Sequence, residues 1–252
     1  MADIDMSSLC HPSNESESVA ELSWVPIGNY SKRWHGEFNG NNKTISNLYI
    51  NASEDDSGFF GYTHDPNGQR GIIKDIIFNN VNIKSTKEYF GVLAGYAWNT
   101  DISGITVNNG SINGYRKVGG IVGYAEGSTT ISNCVNRIPI VGSDYAIGGI
   151  AGCAGHSSSI TNCANYGNVK GSRMVGGIVG YSEGLTLCNV FSSGDVTFTN
   201  DYYGSGLVVG HVESSTLTIS GYAIYNSDAK RYYNTTEQEP VALGEVSPSV
   251  TV

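Results

Sequence analysis

The sequence predicts an all-β protein whose fold is a parallel β-helix of about five to six coils, each of about 28–30 residues. One glycine-rich apolar phrase recurs along the chain: "VGGIVGY" stands at 118–124 and 175–181, and "IGGIAGC" stands between them at 147–153. The apolar runs are short, β-branched and bounded by Gly, Asn and Ser, which is typical of strands. No run keeps a helical period. Crossovers between parallel strands are almost always right-handed, so we expect a right-handed helix.

The repeat extends over most of the chain. The last glycine of each phrase recurs about every 30 residues, at Gly61, Gly95, Gly123, Gly152, Gly180 and Gly210. A second phrase, "TISNCVN" and "SITNCANYGNV", follows its glycine at a constant offset. Stacked coils should therefore align equivalent residues in columns. We expect three: Ile121, Ile150 and Ile178; Cys134, Cys163 and Val190; and an amide ladder at a turn of Asn133, Asn162 and Asn189.

Within one coil, 148–175, three strand-like runs are separated by turns: "GGIAG", "SITNCA" and "NVKG". The glycine phrase is interpreted as a strand on the inner wall of the coil. Its first glycine (Gly119, Gly148, Gly176) should stand where the coil bends or where backbones approach too closely for a Cβ.

The composition excludes several classes of partner. The net charge is −9, so no basic patch can neutralise phosphates, and neither nucleic acid nor anionic lipid is expected as a partner. No apolar run is long enough to insert in a membrane. The five cysteines lack a C-x-x-C pair, which predicts free thiols in the core rather than a zinc or dithiol site. No cofactor is expected.

The phrases "GFFG", "VLAG", "GIVG", "GIAG" and "GLVVG" resemble the GLUG-motif repeats of bacterial secreted and surface proteins. Upstream, "ADIDM", "WVPIGN" and "FNGNNKTISNLYI" look like the leading module of that family, and the resemblance covers about residues 2–225. It implies an adhesin-like or stalk module of a large surface protein, often from gut bacteria of the Bacteroides type. Such repeats also occur beside metallopeptidase domains that attack host immunoglobulin.

This resemblance suggests three parts: a leading module at 1–57 that forms an N-terminal coil and cap, a solenoid at 58–225, and an extension or cap at 226–252. Met1 directly precedes "ADIDM", which predicts an excised piece of a longer polypeptide. We expect it to be monomeric, and extracellular or at the cell surface.

The sequence predicts no catalytic residues and no metal ligands. No Asp or Glu recurs at one slot of successive coils, as a polysaccharide lyase or hydrolase on this fold would need. The five histidines lack the spacing of a zinc protease. For the acidic loop "SEDDSG" at 53–58, the alternatives are a solvated loop and a weak Ca²⁺ site.

The residues just before each glycine phrase vary and are rich in Tyr and Arg, a mixture common in interfaces. Stacking should align them as a surface ridge that binds a glycan or a host surface protein; the alternative is that these tyrosines only cover a sheet edge. The ridge residues are Tyr89, Tyr115, Arg116, Tyr145, Arg173, Tyr202 and Tyr203. The expected function is a non-enzymatic adhesin, spacer or scaffold, and the second candidate is a carbohydrate-active enzyme on the same fold.

Overall fold

The protein is a β-solenoid of about six coils. The computed structural model describes residues 2–14, 20–200, 203–213, 217–225, 230–233, 236–238 and 243–246. Within these residues there is no helix, and the strands form four sheets. The pairings between successive coils are parallel, which confirms the predicted fold class.

Each coil passes through the four sheets in the same order, and we number the sheets in that order. Sheet 1 contains the strands Glu88–Phe90, Arg116–Gly119, Tyr145–Gly148, Arg173–Gly176 and Ser205–Gly206. Sheet 2 contains Phe60–Thr63, Ala94–Trp98, Val122–Glu126, Ala151–Gly155, Val179–Glu183, Val209–Val212 and Leu243–Val246.

Sheet 3 contains Ile4–Asp5, Glu37–Ser46, Gly71–Asn79, Thr100–Val107, Thr130–Ser132, Val135–Asn136, Ser159–Thr161, Ala164–Asn165, Thr186–Ser192 and Thr218–Tyr225. Sheet 4 contains Tyr49–Ala52, Val81–Ser85, Gly110–Gly114, Ile140–Gly142, Val169–Gly171, Val196–Phe198, Arg231–Tyr233 and Thr236–Gln238.

The predicted isoleucine column is confirmed. The amide of Ile121 donates to the carbonyl oxygen of Ile150, and the amide of Ile150 donates to that of Ile178, each at 2.9 Å. All three side chains are fully buried. Like residues therefore meet like residues one coil away, and the same apolar column runs through the core.

The predicted amide ladder is also confirmed, and it stands at a corner. Asn162 donates from Nδ2 to Oδ1 of Asn133 at 3.3 Å, and Asn189 donates in the same way to Asn162 at 3.1 Å. The three residues have φ of 53° to 54°, the left-handed region that Asn tolerates better than most residues. The repeated asparagine thus bends the chain and links the coils on the outside.

The glycine phrase is not one strand, which corrects the prediction of three runs per coil. "GGIAG" is divided between Tyr145–Gly148 and Ala151–Gly155, and "SITNCA" is divided between Ser159–Thr161 and Ala164–Asn165. A Cβ on Gly148 would overlap the carbonyl oxygen of Ala151, because the chain turns sharply there. The first glycine of the phrase therefore permits a close backbone approach, as expected, but at a corner between two sheets.

The leading segment stacks directly on the first repeat. The indole Nε1 of Trp24 donates to the carbonyl oxygen of Phe59 at 3.1 Å, and the two rings stack at 5.4 Å. Ile27 and Trp34 form single parallel bridges to Phe60 and Thr63. Residues before 57 thus share one core with the solenoid.

In the extension at 226–252, strands Arg231–Tyr233 and Leu243–Val246 continue sheets 4 and 2; the rest of the predicted cap lies largely outside the described residues. The five cysteines are free, and all except the half-buried Cys188 are buried, as predicted for core thiols. The described part of the chain contains no helix of the length and hydrophobicity needed to cross a bilayer.

Candidate ligand-binding face

Four of the predicted ridge residues come together on sheet 1. Arg116 pairs with Glu88 of the preceding coil, and Tyr145 pairs with Arg173 of the following coil. Tyr115 precedes Arg116 in the same coil. Stacking therefore aligns alternating Tyr and Arg side chains, all of them half-buried.

Arginine side chains lie over the rings of the ridge residues Tyr115 and Tyr145. The Arg116 guanidinium lies 5.1 Å from the ring centroid of Tyr115 and 5.5 Å from that of Tyr145. Arg173 lies 5.3 Å from the same Tyr145 ring. Cation–π attraction at such distances favours an ordered row over freely moving side chains. The ridge is thus a preformed surface.

Of the three remaining predicted tyrosines, the two that the structure describes, Tyr89 and Tyr203, lie apart from this row. Tyr202 is outside the described residues. Tyr203 meets His211 edge to face, with ring centroids 5.3 Å apart. Tyr89 is turned towards sheet 2 and belongs to a different arrangement, described below.

Glu88 anchors the start of the ridge. It forms an ion pair with Arg116 and another, at 3.0 Å, with Lys117. Burial acts against the charged carboxylate, but the hydrogen bonds from both basic groups hold the pKa of Glu88 below its usual value. Although its own burial opposes the charge, hydrogen bonds to Tyr89 and Glu88 raise the pKa of Lys117. This charge cluster therefore stays ionised near neutral pH.

An aromatic ladder on sheet 2 was not predicted. The residue after the last glycine of each phrase occupies one register position, in the order Tyr62, Tyr96, Tyr124, Cys153, Tyr181 and His211. Tyr62 and Tyr96 stack face to face at 4.4 Å, and Tyr124 meets Tyr96 at 5.1 Å with tilted planes. The last residue of the repeated phrase could have predicted this ladder, because it is aromatic in all but one of these coils.

Tyr89 joins the ridge to the ladder. It has a φ of 63°, unusual for a bulky residue, and the equivalent Lys117 has a φ of 54°. The Tyr89 ring is parallel to Tyr124 at 6.0 Å, and Lys117 Nζ lies 4.3 Å from the Tyr89 centroid while donating to its hydroxyl at 2.8 Å. The left-handed corner thus directs these side chains over the ladder.

A cleft of about 640 Å³ opens at the N-terminal end of the ladder. We call it the tyrosine cleft; its lining residues are Asn29, Tyr30, Ser31, Glu54, Asp55, Asp56, Tyr62, Tyr89 and Tyr96. They come from three places: a loop of the leading segment, the acidic loop, and the ladder with its neighbour. The acidic loop is held in position because Asp55 Oδ1 accepts a hydrogen bond from the Glu88 amide at 2.9 Å.

The carboxyl group of Asp56 is strongly perturbed. Its Oδ1 is buried without a hydrogen-bond partner among the described residues. Burial, followed by the negative charges of Asp55 and Glu88, raises the pKa of Asp56 to about 7. The described residues therefore leave this buried oxygen without a hydrogen-bond donor, which disfavours the charged carboxylate.

The comparisons with known proteins agree with this architecture. The family model of the GLUG motif matches residues 114–137. The chain carries a GLUG motif. It also resembles a crystal structure at 1.30 Å resolution from Bacteroides ovatus, of a protein described as a candidate immunoglobulin A1 protease. The identity is 20% and the TM-score 0.65, over 92% of this chain and 75% of that chain, so this likeness shows the fold. No curated protein matches the sequence.

The GLUG motif covers one passage through sheets 1, 2 and 3, together with the corners between them. It includes the ridge residues Tyr115 and Arg116 and the ladder residue Tyr124. The motif thus encodes both the bend of the coil and the outward side chains of the face.

The tyrosine hydroxyls of the ladder are buried enough to stay neutral near pH 7. Burial raises the pKa of Tyr62 to about 12 and raises that of Tyr124 as well, so these hydroxyls stay protonated and act as hydrogen-bonding groups. Among the described residues, no group of His, Cys, Asp and Glu is arranged to hold a metal ion. The face combines aromatic rings, fixed charges and a cleft lined by carboxyl groups.

Proposed function

We propose that this protein is a non-enzymatic β-helical module of a secreted or surface protein, which binds a glycan or a host protein through the face formed by the ridge, the ladder and the tyrosine cleft. One observation carries the proposal. Side chains from successive coils form a continuous row of Tyr, Arg and Glu on the outside of a rigid solenoid. Interfaces are enriched in Tyr and Arg, and prior ordering lowers the entropic cost of binding.

An extracellular or cell-surface location belongs to the same proposal. The GLUG motif at 114–137 supports it, because such repeats are typical of bacterial secreted and surface proteins. An extended solenoid also suits a stalk, since each coil adds length without changing the face. An adhesin and a spacer with a binding face are compatible roles.

A carbohydrate-active enzyme is the second candidate, and one observation favours it. Asp56 has a pKa near 7 beside Asp55 in a cleft, as a general acid requires. Glycosidases need a second carboxylate across the scissile bond. On this alternative, Asp55 or Glu54 would serve as that partner.

A glycan array and a panel of immobilised host glycoproteins test the two candidates together. We expect binding without release of product, and we expect the double variant Arg116→Ala with Tyr145→Ala to lose at least tenfold in affinity. Tyr166→Ala is the matched control, because Tyr166 is exposed and also carries an arginine, Arg137, at 4.9 Å. Reducing ends or unsaturated sugars that disappear with Asp56→Asn would overturn the proposal in favour of the enzyme.

A further inference from the structure

The tyrosine cleft has an excess of negative charge. Its acidic loop contributes the carboxyl groups of Glu54, Asp55 and Asp56, and none of them forms an ion pair among the described residues. The nearby Lys117 is paired with Glu88. The nearby cations are Lys117, whose charge also acts on Asp56, and Arg33, which lies over the rings of Tyr30 and Tyr62. An occupant of this cleft should therefore be positively charged.

The aromatic wall favours the same kind of ligand. The protein itself places cations on these tyrosines: Arg33 lies 5.2 Å from the Tyr30 centroid, and Lys117 lies 4.3 Å from that of Tyr89. Tyr30 is 68% exposed, so much of it remains available to a ligand. Rings combined with carboxylates attract an organic cation through its charge and through its aliphatic part.

The other ligand classes fit less well. An anionic polymer would be repelled by the acidic loop and by the net charge of −9. A bare metal ion needs several converging ligands, and no such group is present among the described residues. A neutral sugar can donate hydrogen bonds to carboxylates, but it leaves the excess charge unbalanced.

We propose that the tyrosine cleft binds an ammonium group carried on an aliphatic chain, either a lysine side chain of a partner protein or a free polyamine. The ammonium group donates to accessible carboxyl oxygens of Asp55 and Asp56, which line the cleft. The aliphatic chain lies against Tyr30. This inference rests on the proposed function, because it names the chemistry of a ligand for the same face.

Isothermal titration of the purified chain at pH 8 and low salt tests this inference with defined probes. These are cadaverine, spermidine and N-acetyl-lysine methylamide, each compared with a neutral analogue, 1-pentanol or N-acetyl-norleucine methylamide. We expect the ammonium probes to bind at least tenfold more tightly than the neutral ones. Tighter binding of spermidine indicates a free polyamine, and tighter binding of the lysine derivative indicates a partner's side chain.

Two variants locate the site. Tyr30→Ala and Asp56→Asn should each weaken ammonium binding about tenfold, whereas Tyr166→Ala should leave it unchanged. Equal binding of neutral and charged probes, absence of binding at millimolar concentration, or unchanged affinity in both cleft variants would overturn the inference. Thermal melts of each variant confirm that it is folded.

The two proposals fail separately. Loss of glycan or protein binding in the ridge double variant, without ammonium binding by the wild-type chain, retains the proposed function and rejects this inference. Ammonium binding that depends on Tyr30 and Asp56, without binding to any glycan or host protein, retains the cleft as an ammonium site and rejects the proposed function.

Discussion

Asn136 donates a hydrogen bond from its Nδ2 to the Oδ1 of Asn165 in the next coil at 2.8 Å, and both side chains are fully buried. The Nδ2 of each asparagine also donates to the carbonyl oxygen of the residue two positions later, Ile138 or Gly167. The Gly167 amide in turn donates to Asn165 Oδ1. These bonds satisfy the backbone where the chain leaves sheet 3. The second asparagine of the repeated "N-C-x-N" pattern thus supports the turn from inside the solenoid.

Replacing Asn165 by Ala should destabilise the fold, because Asn136 loses its acceptor and the Gly167 carbonyl loses its donor. Buried polar groups left without partners cost about 1–3 kcal/mol each, so we expect the free energy of unfolding to fall by about 2–4 kcal/mol. Urea denaturation measures it. Asn113→Ala, at an exposed position of sheet 4, is the control and should change stability by less than about 0.5 kcal/mol. A loss of that small size for Asn165→Ala would contradict the buried bond.

Gly149 faces this asparagine pair, and its replacement by Ala should be among the most damaging single changes. A Cβ there would overlap the carbonyl oxygen of Gly177 and the amide carbon of Asn165. Backbone cannot move aside as a side chain can, so we expect a loss of about 3 kcal/mol or more.

Gly68→Ala is the control for this variant. A Cβ on Gly68 would meet no atom within 4 Å, but the residue has a φ of +81°. The control should lose only about 1–2 kcal/mol, the cost of a left-handed backbone. Equal melting temperatures for the two alanine variants would show that close packing is not what requires Gly149.

The raised pKa of Asp56 predicts a pH-dependent stability. Its value is 3.8 in the unfolded chain and about 7 in the folded one, so between these values the folded state holds a proton that the unfolded state has released. The stability associated with this group is fully present below about pH 4 and is lost as the pH rises through 7. Asp56→Asn should therefore melt at a higher temperature than wild type at pH 8 and at a similar temperature at pH 4.

Differential scanning calorimetry at several pH values measures this difference. Asp195→Asn is the control, because Asp195 does not line the cleft. Its melting temperature at pH 8 should not exceed that of the wild type. A wild-type chain that gains stability from pH 5 to 8 relative to Asp56→Asn would refute the assignment.

The thiols should differ in reactivity. Burial raises the pKa of Cys153 to about 12, and it raises the pKa values of Cys10 and Cys134. Cys188 alone among the five is half-buried. At pH 8 a thiol reagent such as dithionitrobenzoate should modify about one cysteine rapidly in the folded chain and five after denaturation.

A Cys188→Ser variant should abolish the rapid phase. Rapid modification of several thiols in the native protein would mean that the coils open readily, contrary to the packed columns.

Some of this architecture could be predicted from the chain alone because each coil repeats the same letters. Residues at one period must meet when strands stack in register, so the column of Ile121, Ile150 and Ile178 follows from spacing. The ladder from Asn133 to Asn189 follows for the same reason. The period sets which residues are neighbours, whatever the exact path of the coil.

The path itself could not be predicted in the same way. "GGIAG" has the composition of a strand, but the absence of a Cβ at Gly148 allows a corner that spacing does not reveal. Two residues before that corner, the left-handed backbone of Tyr89 and Lys117 directs their side chains over the residues that follow the glycine phrase. The tyrosine ladder therefore meets the ridge at an angle that only the bend determines.

The sequence by itself determined that like residues stack in columns, because periodicity alone specifies contacts between successive coils. Only the tertiary structure decided that a loop from the leading segment, the acidic loop and three tyrosines enclose one cleft. The loop of the leading segment lies outside the repeat, so its packing on the ladder, where Tyr30 meets Tyr62 edge to face at 5.9 Å, is not specified by the period.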